Sequence, residues 1–135
     1  MLLNIKTIPV QDQRVTTLGD WWENADGSFE IRLTDMGNWR YEFLVLIHEL
    51  TEWSICQHLG IATKDCDDFD FLFEAEIKRG EQSPEDEAGF DHRCPYGKGH
   101  VWGDRMEKLF CFLLGVKWKA YAAACADFIA QYEPH

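Results

Sequence analysis

Phe43-Leu44-Val45-Leu46-Ile47-His48-Glu49-Leu50-Thr51-Glu52-Trp53-Ser54-Ile55-Cys56 is the stretch on which the fold turns. It is apolar almost all round, the pattern of a helix covered by its neighbours on every side. Yet it carries an imidazole and two carboxylates at its centre. Burying an unpaired carboxylate costs several kcal/mol, so these groups need a partner or an opening to water. His48 and Glu52 stand four residues apart and leave the helix from one face, at chelating separation. Glu49 lies one residue on from His48, about 100° around the axis, beside the position the other two would share. Such a helix supplies two metal ligands and an adjacent general base.

Two side chains do not hold a catalytic zinc, which takes three protein ligands and keeps a fourth position open. The segment Gly99-His100-Val101-Trp102-Gly103-Asp104-Arg105-Met106-Glu107 offers the rest. His100 and Asp104 repeat the four-residue spacing, and Glu107 follows on the same face. One of these can ligate while another orients a ligand imidazole from behind. The competing structural account has Glu49 and Glu52 reaching the surface, His48 bonded to a carbonyl, and Asp104 paired with Arg105 or Lys108. Asp67, Asp70 and Glu74 form a further acidic set at i, i+3, i+7. They suit a charged helix start and a solvated face, or else a second shell or second metal beside the first. His92 and Cys94 fall in a loop as possible adventitious ligands, and His58 complements the dipole at the end of the His48 helix.

Around these segments the chain reads as strands first and helices after. Ile5, Ile8 and Val10 are β-formers interrupted by Pro9, which suggests an edge strand. Asp26-Gly27 between two aromatic-rich alternating runs, Gly19 to Glu23 and Ser28 to Leu33, is a hairpin signal. Phe29, Ile31 and Leu33 then share one face, with Glu30 and Arg32 toward water. Helices are expected over Trp39 to Leu59 with Gly60 as C-cap, Asp67 to Lys78, about His100 to Leu114, and Lys117 to about Tyr132. Residues 79 to 99 read as an irregular loop. The fold class is α+β: an N-terminal β-hairpin or small antiparallel sheet followed by about four helices, as a single domain over residues 1–135.

Composition narrows the function. The net charge is −11 and the sequence pI is near 4.7, so phosphate backbones and anionic membranes are repelled. Five cysteines without a CxxC pair, and no secretory h-region at the start, point to reduced thiols in a cytoplasmic protein. No apolar run approaches the roughly 20 residues of a membrane span.

At His48-Glu49-Leu50-Thr51-Glu52 the chain resembles the zincin metallopeptidases, whose signature helix reads His-Glu-x-x-His; here Glu52 takes the place of the second His. The thermolysin-like branch draws a third ligand from a later helix and, four residues on, an Asp that orients a ligand His. His100 and Asp104 have that spacing, with His in place of the usual Glu. The resemblance implies a zincin-like fold, with His48, Glu52 and His100 as zinc ligands, Glu49 as base and Asp104 behind the ligands. More closely, the chain is similar to small bacterial and phage-associated proteins of unassigned function. These share a Gly-Asp-aromatic-Trp hairpin (Gly19 to Trp22), a His-Glu-Leu-x-Glu helix, a Phe-Asp-x-x-Phe-Glu segment (Phe69 to Glu74) and a Pro-Tyr…His…Glu stretch (Pro95 to Glu107).

The leading expectation is a minimal metal-dependent hydrolase acting on a peptide or protein, with an edge strand ahead of the helix holding an extended substrate. A non-catalytic metal-binding or interaction protein of phage or mobile-element origin is the alternative. An all-α nucleotide pyrophosphohydrolase is the third, because Glu49-x-x-Glu52 and Asp104-x-x-Glu107 resemble its acidic helix pairs. Oxygen donors would suit magnesium there, whereas His48 and His100 favour zinc-like metals.

Overall fold

The computed structural model describes residues 1–135 and is an α+β arrangement. Three strands, β1 (Leu3–Ile8), β2 (Gly19–Glu23) and β3 (Phe29–Thr34), precede four helices. The helices are α1 (Trp39–Leu59), α2 (Thr63–Lys78), α3 (Gly97–Leu113) and α4 (Trp118–Ala130). The hairpin over Asn24 to Gly27 forms as expected, with Gly27 at positive φ.

The sheet is mixed and not purely antiparallel. Its order is β1-β3-β2, with β1 parallel to β3 and β2 antiparallel to it. The cause is the connection over residues 9–18, which crosses the C-terminal end of β3 before β2 begins. Gln13, 1% exposed, pins that crossing by donating its amide to Thr34 Oγ1 at 3.2 Å and Leu18 O at 3.3 Å. Asp35 N closes onto Ile8 O. β1 is an edge strand that stops before Pro9, where the ring removes a ladder donor.

Ile31 and Leu33 enter the core with Trp21, Leu44, Val45 and Tyr121. The opposite face of the sheet is not open to water as the alternation suggests. Glu30 is buried, accepting from Asn4 Nδ2 and Asn24 Nδ2 and pairing with Arg32 at 2.8 Å. Arg14 lies 4.1 Å over the Trp22 ring and binds Asp20 and Asp67. A cation–π and ion-pair layer therefore covers that face.

α1 begins at Asn38, whose side chain accepts from Arg40 N and Tyr41 N, and ends at Gly60 in the left-handed conformation. α2 starts at Thr63, four residues before the acidic pair expected to open it, and α3 starts at Gly97. No helix is long and apolar enough to cross a membrane.

The contact that positions the site is the crossing of α1 and α3. Gly99 and Gly103 face α1, where a Cβ would fall 2.9 Å from Glu52 O and 2.9 Å from His48 O. Glycine lets the two backbones approach until the side chains of these residues share one space.

In an exposed helix Gly→Ala stabilises by about 1 kcal/mol. At Gly103 the sign reverses: Gly103→Ala forces the backbones apart and is expected to destabilise by about 1–3 kcal/mol in chemical denaturation. Gly97→Ala, whose Cβ would meet nothing closer than 3.4 Å, is expected to be neutral or slightly stabilising. Equal effects at the two positions would contradict the close crossing.

Candidate metal centre

His48, Glu52 and His100 come together at the crossing. His48 Nε2 lies 3.0 Å from His100 Nδ1 and 3.3 Å from Glu52 Oε2, and His100 Nδ1 lies 3.0 Å from Glu52 Oε2. All three residues are buried, and each offers one ligand atom to a common position. Bond lengths near 2.0–2.1 Å around a tetrahedral ion imply donor–donor separations of about 3.3 Å, close to this triangle.

Each donor is oriented from its outer side. His48 Nδ1 donates to Glu107 Oε1 at 2.9 Å, and Glu107 Oε2 accepts from Tyr121 Oη at 2.5 Å. A carboxylate only accepts, so Nδ1 carries a proton and Nε2 is the nitrogen that faces inward. His100 has the opposite tautomer: Nε2 donates to Glu87 Oε1 at 3.2 Å, which leaves Nδ1 facing the cluster. Glu52 Oε1 accepts from Trp21 Nε1 at 3.0 Å, so Oε2 points inward. Once the inward nitrogens lose their protons, two lone pairs and a carboxylate oxygen converge there with no Lys or Arg beside them. This is a donor set for a zinc-like divalent ion, with the carboxylate–histidine contacts that usually stand behind one.

Glu49 is buried against β2, where a Cβ on Gly19 would meet its Oε1 at 2.6 Å. It accepts no hydrogen bond from the protein and lines a cavity of about 360 Å³ that also reaches His48, Glu52 and His100. Burial and the charge of Glu52 push its carboxyl well above the ordinary range. Burial would also raise Glu52, but hydrogen bonds from His100 and His48 hold it down at about 2. Both imidazoles are lowered by burial and raised more strongly by their carboxylates. Glu107 and Glu52 bring His48 to about 11, and Glu52 and Glu87 bring His100 to about 9. Without a metal the cluster thus takes up protons, although facing N–H groups 3.0 Å apart repel each other.

The other acidic residues have different places. Asp104, expected behind a ligand, pairs instead with Lys108 at 3.0 Å, and Glu107 holds His48. The reason is the contact stripe of α3: Gly99, Gly103 and Glu107 fall at i, i+4, i+8 against α1, and Asp104 lies one step off it. Asp67 binds Arg14, Glu74 accepts from Thr16 N and Oγ1, and Asp70 accepts from Tyr96 Oη. Burial pushes Asp70 up to about 8 despite that hydroxyl. His92 is exposed in the loop, with Asp91 3.7 Å away, and neither it nor Cys94 joins the ligand cluster. All five cysteines are free thiols. Trp21, Glu87 and Tyr121 carry no spacing signal in the sequence; only the repeat Gly99-x-x-x-Gly103 announces a close helix crossing.

The pKa shifts give a pH dependence with a defined sign. A raised histidine stabilises the metal-free fold fully below its unfolded value near 6.5, and that contribution is lost as pH rises through 9 toward 11. Glu52, lowered to about 2, contributes above 4.5 and loses its share as pH falls. Thermal denaturation of chelator-treated protein should therefore show maximal stability between about pH 4.5 and 6.5 and a decline toward pH 9. A divalent cation held by these donors would have to displace the protons, so any stabilisation by added zinc should grow from pH 5.5 to pH 8. A metal-free Tm that rises from pH 6.5 to 9 would contradict the assignment. No protein-family model, curated protein or solved structure matches this chain.

Proposed function

We propose that the protein is a metal-dependent hydrolase with a metallopeptidase-like site, in which His48, Glu52 and His100 hold a zinc-like cation and Glu49 is the general base. The observation that carries this reading is the convergence of three inward donors beside a buried carboxylate that has no protein partner. A structural metal site has no use for such a neighbour; a hydrolytic one needs it. A divalent cation bound there supplies Lewis acidity. Glu49, buried beside the ligand atoms, would take the proton of the attacking water and return it to the leaving group. Glu107 and Glu87 fix the two imidazole tautomers, and Trp21 fixes the Glu52 carboxylate.

The outward edge of β2 is occupied at its two ends, where the Thr17 hydroxyl takes up Gly19 O and Thr63 Oγ1 accepts from Glu23 N. The cavity beside Glu49 is the better place for a substrate. A nucleotide pyrophosphohydrolase gains no support: a mixed sheet precedes the helices, and no Lys or Arg lines the cavity to take a phosphate.

Elemental mass spectrometry on untagged protein should find near-stoichiometric zinc, lost in His48→Ala and in His100→Ala. Glu49→Gln should keep the metal yet lower hydrolysis of a peptide library by about 10²–10⁴-fold. Full activity in Glu49→Gln, or no metal after reconstitution at pH 8, would overturn the proposal.

A further inference from the structure

From the chemistry of the cavity we infer that it takes a peptide presenting a lysine or arginine side chain next to the bond to be cut. The inference rests on the hydrolase reading for what happens to that peptide, but the recognition itself rests on the walls. Carboxylates enter from several elements, among them Glu49 from α1, Glu74 from α2, and Glu85, Asp86 and Glu87 from the loop after α2; no Lys or Arg does. Most have partners: Glu74 binds Thr16, Glu87 binds His100, and Asp86 accepts from Ser83 N. Glu85 is exposed and accepts nothing from the protein.

Glu49 is the independent sign of a ligand. It is 7% exposed, accepts no hydrogen bond and faces the cavity. Its carboxyl oxygens open on the cavity, where a donor from a bound molecule can reach them. The same cavity is lined by the apolar Ala122, Cys125, Ala126 and Ile129 of α4 and by Phe73 and Ile77 of α2. Carboxylates and apolar groups in one cavity fit a cationic head on an aliphatic stem, which is the shape of Lys and Arg. A phosphate or an acidic peptide would meet repulsion from the same carboxylates. The volume of about 360 Å³ lies at the small end of ligand pockets, enough for one such side chain and its adjoining backbone.

The test is calorimetric binding of three blocked tripeptide analogues, their amide bonds replaced by uncleavable ketomethylene groups and with lysine, norleucine or glutamate at the centre, to zinc-loaded protein that keeps Glu49, so that no turnover intervenes. Lysine and norleucine share a stem and differ in charge. The lysine peptide should bind about tenfold or more tighter than the norleucine one, and the glutamate peptide weakest. The double variant Glu85→Gln/Asp86→Asn, in the same background, should reduce the lysine preference several-fold. Asp65→Asn/Asp127→Asn removes the same charge from exposed positions outside the cavity and should leave it unchanged. Equal affinities for lysine and norleucine, or equal losses in both double variants, would overturn the inference. Zinc content measured on the same samples keeps the two claims apart. A lysine preference in protein that holds no zinc would sink the hydrolase reading alone, and zinc-loaded protein without the preference would sink the cationic side chain alone.

Discussion

The close crossing of α1 and α3 is the constraint from which the rest of the structure follows. Two glycines one turn apart remove the side chains that would otherwise separate the helices, and a Cβ at either would press on the backbone of Glu52 or His48. Helices normally pack with axes about 8–10 Å apart, the spacing being set by the side chains at the contact. Here the middle of the contact layer holds His48, Glu52 and His100, so polar groups occupy space that a core would fill with methyls. Burying two imidazoles and a carboxylate is tolerable only because each is bonded on its outer side by a specific partner.

Those outer partners come from every part of the fold. Trp21 arrives on the hairpin, Glu107 on α3, and Glu87 from the loop leading into the short turn at Ala88–Phe90. α4 contributes Tyr121, which is almost wholly buried and holds the far oxygen of Glu107. The sheet is thus more than a cover for α1. Strand β2 carries the indole that holds Glu52, and its first residue, Gly19, lies against Glu49. The crossing over β3, pinned by Gln13, brings residues 15–18 into the wall of the cavity.

Much of this is legible in the sequence. The four-residue spacing of His48 and Glu52 inside an apolar helix marks a polar site in a place where polarity is costly. Asp26-Gly27 and Gly60 mark the hairpin and the end of α1. The choice between Asp104 and Glu107 was not legible, because both lie on the His100 side of α3 and only the crossing angle decides which meets α1. Glycines at 99 and 103 put Glu107 on the contact stripe and leave Asp104 to Lys108. The parallel pairing of β1 depends on a buried glutamine in an irregular connection, and no periodicity reports that. Glu30 looked solvent-facing by alternation, yet side chains distant in sequence cover it. Trp21 and Glu87 reach the centre through tertiary placement alone.

The central claim is that three particular atoms share one cation, and X-ray absorption at the zinc edge of the loaded protein tests it most directly. The account predicts a shell of nitrogen and oxygen at about 2.0–2.1 Å with the outer-shell scattering of two imidazoles, no sulfur, and room for a water. Loss of one imidazole is expected in His100→Ala. A sulfur shell near 2.3 Å, or an all-oxygen shell without imidazole scattering, would place the metal elsewhere and contradict the account.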